Sequence, residues 1–338
     1  MRAISAISYR LSAISLFGAV LAAQTTADGI AAFRHGHYAE ARQILEKAPP
    51  SDSTARTFLA LSRAATGSCA AVRGDLVHEM STNRDRTLAR LAGIAVVQCD
   101  LAANHVAEAI PVAAYLQKEF PSDPDVLYEA AKLHRKAWDE AIFQLYQKAP
   151  ASFRVNQLSG EIFETDGRYA EAAQEYRKAI QKNPAALNLH FRLGRALLLQ
   201  SHDPANLRDA RREFEAELAL NPSDAAAEYE VGRILETEQN PAAAAPHFEK
   251  AAALDAGFAE PLLELAKLKK DSAIPLLERA VRLQPESESA HYALMMAYRN
   301  AGRSAEAQRE KALFDKLSRP PEGEFTDFLK KLGEKPNK

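Results

Sequence analysis

The sequence carries almost no net charge: 43 Lys and Arg stand against 45 Asp and Glu, a formal balance of −2. Nucleic-acid binding calls for a basic face, so that class is excluded, and no run of five like charges forms a tail. Glycine is scarce, at 14 residues, and aromatics reach only 7%. Alanine is plainly the commonest residue, and an alanine-rich, glycine-poor chain favours helix because alanine loses no side-chain entropy there. This balance also speaks against a non-helical catalytic domain hidden in the amino-terminal half. Catalytic signatures are missing as well. There is no His-Glu-x-x-His run, no phosphate-cradling glycine loop and no Gly-x-Ser-x-Gly elbow. His35-Gly36-His37 is a close pair, but a turn between helices accounts for it, and the other histidines are scattered. No metal site or cofactor is expected.

Hydrophobic residues make up 47% of the chain, enough for a packed structure and too many for global disorder. The length allows two ordinary domains or one long repeat array. The first residues stand apart. Arg2 and Arg10 flank a polar start, Leu11 to Ala23 is apolar apart from Ser12 and Ser15, and the small residues Ala22 and Ala23 follow. This is the layout of a secretory signal peptide over residues 1–23. The apolar run is shorter than the ~20 residues a spanning helix needs, so cleavage is expected rather than retention as an anchor. The protein is therefore expected to be exported, periplasmic or secreted, with no membrane span once the segment is removed. In such a setting the only cysteines, Cys69 and Cys99, invite a disulfide, the alternative being two free buried thiols.

A repeat dominates the rest. Gly160, Phe163, Gly167, Tyr169, Ala172, Tyr176, Ala179 and Pro184 mark one copy. Gly194, Leu197, Ala210, Phe214 and Pro222 mark a second, and Gly232, Leu235, Ala244, Phe248 and Ala251 a third. Gly160 and Gly194 stand 34 residues apart, as do Ala210 and Ala244. The pattern resembles the tetratricopeptide repeat, over about Thr25 to Leu317. The resemblance implies an all-α fold, a right-handed α-solenoid of antiparallel helix pairs with about eight to nine repeats. Each first helix carries a small residue where the second crosses, at Gly29, Ala60, Gly160, Gly194, Gly232 and Ala266. Each second helix answers with a small residue and, four positions on, a bulky one, as in Ala41 and Leu45, Ala141 and Leu145, or Ala172 and Tyr176.

Departures from the pattern divide the chain further. Residues 24–123 are degenerate, 124–317 form the clearer array, and 318–338 are a linker with a short tail or capping helix. A break near Pro150 is compatible with this. Ser201-His202-Asp203-Pro204 is expected to lengthen its turn, Lys269-Lys270-Asp271-Ser272 to tighten another, and Trp138 to open the second helix of its unit in a packing role. In the repeat frame Cys69 starts one second helix and Cys99 lies late in the next first helix, at ends that meet.

The family uses its concave face, lined by first helices, to hold peptides. The inward places are Tyr128, Gln157, Phe191, Tyr229, Leu263 and Tyr292, beside a second row of Lys132, Glu161, Arg195, Arg233, Lys267 and Met296. An apolar row next to a mostly basic one suits a peptide with acidic groups or a free carboxylate. The lysine and asparagine set with which some family members clamp a carboxy-terminal carboxylate is missing. The expected function is a non-catalytic scaffold that binds a partner peptide or protein in this groove. The alternative is an accessory subunit positioning substrate or a catalytic partner for a cell-envelope enzyme.

Overall fold

The computed structural model describes residues 23–318, and all regular structure among them is helical. The signal-peptide segment 1–22 and the tail from residue 319 lie outside the described residues. The chain forms two compact units, one up to Lys148 and one from Ala149.

The first unit pairs α1 (residues 23–34) with α2 (Tyr38–Leu45), α3 (Ser53–Ala65) with α4 (Cys69–Thr82), and α5 (Arg86–Ala102) with α6 (Val106–Glu119), and ends on α7 (Pro124–Lys148). The second pairs α8 (Phe153–Thr165) with α9 (Tyr169–Lys182), α10 (Leu189–Gln200) with α11 (Pro204–Leu220), and α12 (Ala225–Thr237) with α13 (Pro241–Leu254). It continues with α14 (Glu260–Leu268), a 3₁₀ turn at Lys270–Ser272, α15 (Ala273–Leu283), α16 (Glu288–Asn300) and α17 (Ser304–Leu317). Within each unit every helix packs on its sequence neighbours, so each is an α-solenoid of helix pairs.

Local chemistry starts the first helices. The carboxylates of Asp52, Asp85 and Asp224 and the hydroxyls of Ser152 and Ser287 accept hydrogen bonds from free backbone N–H groups of the first turn. Six of the hairpin turns use one left-handed residue, at Gly36, Gly67, Asn104, Gly167, Gln239 and Gly302, while the α10–α11 and α14–α15 turns do without one.

The small-residue columns mark the closest approach within each pair. A methyl group on Gly160 would stand 2.6 Å from the Tyr176 ring, and one on Gly232 2.7 Å from the Phe248 ring, both rings being fully buried. Gly93 does the same for α5 against Leu116 at 2.6 Å, a position the repeat columns missed. By contrast a methyl group on Gly74, in α4, would meet nothing within 4 Å. We therefore expect opposite signs from one substitution. Gly74→Ala stabilises by about 0.5–1 kcal/mol through helix propensity, whereas Gly160→Ala destabilises by about 1–3 kcal/mol through overpacking. Urea midpoints of the two variants check this, and equal shifts would refute the close-approach account.

Polar rungs recur beside these columns. Asn156 meets Glu175, His190 meets Glu213, His247 meets Glu228 and His291 meets Glu310, each at 2.6 Å between the two helices of a pair. Three histidines that read as scattered thus share one kind of rung: His190 and His291 stand on the first helix of a pair, and His247 takes the opposite place on the second, facing Glu228. His35 and Gly36 form the α1–α2 turn, with the His35 and His37 rings 6.3 Å apart. Among the described residues no group of three His, Cys, Asp or Glu is placed to hold a metal, and no helix is long and apolar enough to cross a membrane.

Two expectations are corrected. The extra residues before α11 do not lengthen the turn, which is Ser201–Asp203, as short as Asp166–Arg168. They extend α11 to 17 residues against 14 in α9 and α13, because Asp203 caps the helix and Pro204 suits its first position. The larger correction concerns α7. Trp138 does not begin a second helix, and Ala141 and Leu145 do not close a hairpin. One continuous helix of 25 residues runs through both. Residues 132–143 hold no glycine or asparagine to take the left-handed turn position. Ala131 and Ala141 also stand ten apart where Gly160 and Ala172 stand twelve apart, leaving no room for the turn.

Candidate functional site

In the second unit the first helices α8, α10 and α12 line a cavity of about 690 Å³. Three residues selected from the sequence, Glu161, Arg195 and Arg233, stand in its wall, and Arg192, Glu164 and Glu230 join them. Leu198, Leu199, Leu207 and Ile234 supply its apolar part.

The cations of this mostly basic row are each paired with a carboxylate. Arg195 is hydrogen-bonded to Glu164, and Arg192 lies 3.4 Å from Glu161. Glu164 also accepts the Tyr176 hydroxyl at 2.7 Å. Arg233 reaches Glu230 at 3.5 Å. Burial holds the Glu230 carboxyl above its ordinary range, against the pull of Arg233 and Arg195. Glu236 is raised for the same reason, with Glu264 adding like-charge repulsion. The wall is therefore a ladder of alternating Glu and Arg. The Arg195 and Arg233 side chains still keep about half their surface in water, at 49% and 53%, so each is loosely held and can turn to a new carboxylate.

A second cavity of about 540 Å³ opens between α14, α15 and α16. Its wall is mostly apolar, with Leu263, Ala266, Ile274, Leu277 and Met296, and Lys267 and Asp271 at its polar side. Its origin is the short unit anticipated at Lys269–Ser272: α14 has only 9 residues and α15 only 11. Lys267 is bonded to Glu264 at 2.5 Å.

The aromatic row behaves differently from its expected role. Phe191 and Tyr229 are half-buried and stack on Phe214 and Phe248, with ring centroids 5.4 and 5.8 Å apart. Burial pushes the Tyr229 hydroxyl up to about 12. These two rings serve the hairpins, because the second helix offers them a large flat neighbour. Tyr292 is 48% exposed and leans on Phe314. Tyr128 and Lys132 lie on α7 in the first unit, with the Lys132 ammonium 5.4 Å above the Tyr128 ring and 2.9 Å from Glu129. Arg192, Glu164 and Glu230 escaped the sequence reading. Arg192 and Glu230 stand two places before the small column, and Glu164 four places after it.

Hairpins of this length, a small-against-bulky contact in each and a face lined by first helices define an α-helical repeat protein. The matches to family models agree. Residues 160–201 match the TPR repeat model, residues 100–155 the tetratricopeptide repeat model, and residues 199–328 the bacterial transcriptional activator domain model. The chain carries tetratricopeptide repeats in the first two of these stretches. No curated protein matches it in sequence. Among solved structures it is similar to MamA, at 21% identity over 47% of this chain and 93% of that one, with a TM-score of 0.42. It is also similar to MamA 41-end from Desulfovibrio magneticus RS-1, at 19% identity over 49% and 92% with a TM-score of 0.41. A third is YrrB, described as a TPR protein with an unusual peptide-binding site, at 15% identity over 56% and 98% with a TM-score of 0.43.

Proposed function

We propose that this protein is an exported, non-catalytic scaffold that holds an extended segment of a partner protein along α8, α10, α12 and α14. The observation that carries this is the 690 Å³ cavity whose wall combines half-exposed Arg195 and Arg233 with apolar Leu198, Leu199 and Ile234. Such a wall favours a peptide with carboxylates spaced to compete for the arginines, and an apolar side chain for the neighbouring 540 Å³ cavity. Export is supported by the amino-terminal pattern and by the bond between Cys69 and Cys99, a link characteristic of oxidising compartments.

The test is a displayed library of random peptides, selected on the purified protein, with affinities measured by calorimetry. Enriched peptides are expected to carry at least one Asp or Glu and one large apolar residue. The double substitution Arg195→Glu and Arg233→Glu is expected to weaken them at least tenfold, since two attractive pairs become repulsive. Peptides that bind the double variant equally well would rule the groove out. Mass analysis of the mature amino terminus, after expression with the native leader, tests the export step.

A further inference from the structure

The long helix α7 leaves one whole face without a neighbour in its own unit. Its first half is fastened on one side to α5 and α6: Val126, Ala130 and Leu133 are buried, Gln98 of α5 donates to Glu129 at 2.8 Å, and Arg90 reaches Asp123, just before the helix, at 2.9 Å. On its other side no described helix of the same unit packs. Leu127, Ala131 and His134 are all exposed. Their counterparts in α10 are His190, Gly194 and Leu197, and in α12 Glu228, Gly232 and Leu235. In those pairs the second helix covers this face: His190 meets Glu213, and Gly194 backs onto Phe214. Beyond Leu133 no residue of α7 is buried. Trp138 is 52% exposed, Ala141 is exposed and Leu145 is half-buried. These three are the residues that a second helix would turn toward a first.

Continuity of α7 places both faces on one line. Leu127, Ala131, His134, Trp138, Ala141 and Leu145 follow the spacing 4-3-4-3-4, the seam of a helix that pairs with another helix. The seam is also symmetric about Lys136. Leu127 mirrors Leu145, Ala131 mirrors Ala141, and His134 mirrors Trp138. Being rigid, the helix cannot fold its second half onto its first. Two antiparallel copies can make that contact twice, because a two-fold axis at Lys136 sets each half against the opposite half of the other.

The geometry points to a second copy of this chain as the occupant: α7 pairs with α7 in an antiparallel, two-fold dimer that exchanges the hairpin each helix fails to close. The small residues meet at Ala131 and Ala141, the leucines at the two ends, and Trp138 of each copy against His134 of the other.

Sedimentation and fluorescence of the full mature protein test this together. Trp138 is the sole tryptophan, so its emission reports on the seam alone. A concentration-dependent dimer is expected, with Trp138 emission shifting to the red on dilution. Inserting the turn Asp-Gly-Arg between Lys136 and Ala137 is expected to let α7 close on itself and yield a folded monomer. With Cys69 and Cys99 bonded to each other, new thiols are addressable by a short bis-maleimide. The double variant Ala131→Cys with Ala141→Cys is expected to cross-link into covalent dimers, while each single variant does not. The two positions lie ~15 Å apart along one helix, out of reach of a short linker within the chain. A monomer at every concentration would overturn the proposal. So would a dimer that survives the turn insertion, or cross-linking by the single variants, which would mean a parallel or unrelated contact.

Discussion

Removing the Cys69–Cys99 bond is expected to cost about 3–4 kcal/mol. The two residues are 30 apart in sequence, and the chain-entropy cost of closing a loop of that size in the unfolded state has this magnitude. The bond joins the first residue of α4 to the carboxy-terminal part of α5. Its loss therefore loosens the contact between two neighbouring helix pairs rather than one hairpin. In a repeat array, coupling between neighbouring pairs sets how far fraying spreads. The measurement is hydrogen exchange with and without Cys69→Ala and Cys99→Ala. Exchange in α4 and α5 is expected to rise by two to three orders of magnitude, while α9 and α13 in the second unit hold. An unchanged rate in α4 would show that the bond adds nothing to the folded state.

Arg73→Met is expected to cost about 3 kcal/mol, through a group it does not itself contain. Asp100 follows Cys99 in α5, and Arg73 lies four residues after Cys69 in α4, so an ion pair sits beside the covalent one. The guanidinium grips the carboxylate with both arms, at 2.6 and 2.8 Å. The Asp100 side chain is only 2% exposed, while Arg73 keeps 37% of its side-chain surface in water. Hydrogen bonding to Asp100 raises the already high Arg73 pKa. Removing the arginine strands a buried carboxylate, a change worth ~3–5 kcal/mol. The lower end applies because solvent reaches the arginine side of the pair. The companion variant, Arg73→Met with Asp100→Leu, leaves no unpaired charge and is expected to recover most of the loss. Urea denaturation of the single and double variants decides this. Equal destabilisation in both would mean that packing, not the buried charge, dominates.

Much of this architecture was legible because helix packing imposes local rules. A residue at the closest approach of two helices must be small, so Gly160, Gly194 and Gly232 announced the pairs, and Tyr176, Phe214 and Phe248 announced their partners. Gly93 went unseen because α5, at 17 residues, separates it from Leu116 by more than the usual spacing. The columns at Ala141 and Leu145 fit a second helix as well as they fit one continuous helix, so it is the ten-residue spacing from Ala131 to Ala141 that marks α7 as unbroken. Arg195 and Arg233 fell in the cavity wall because helical period alone puts them on one face.

What the sequence determined by itself is therefore the repeating unit: small columns, turns and caps act between residues close in the chain, and their recurrence shows the period. The tertiary structure decided the rest. Whether Arg195 is bare or held by Glu164 depends on the offset between α8 and α10. Whether Phe191 faces a ligand or Phe214 depends on the tilt of α11. Whether α7 bends depends on a balance between helix propensity and hairpin burial that no single column carries. Contacts between separate helices settle these questions, and spacing along one helix does not report them.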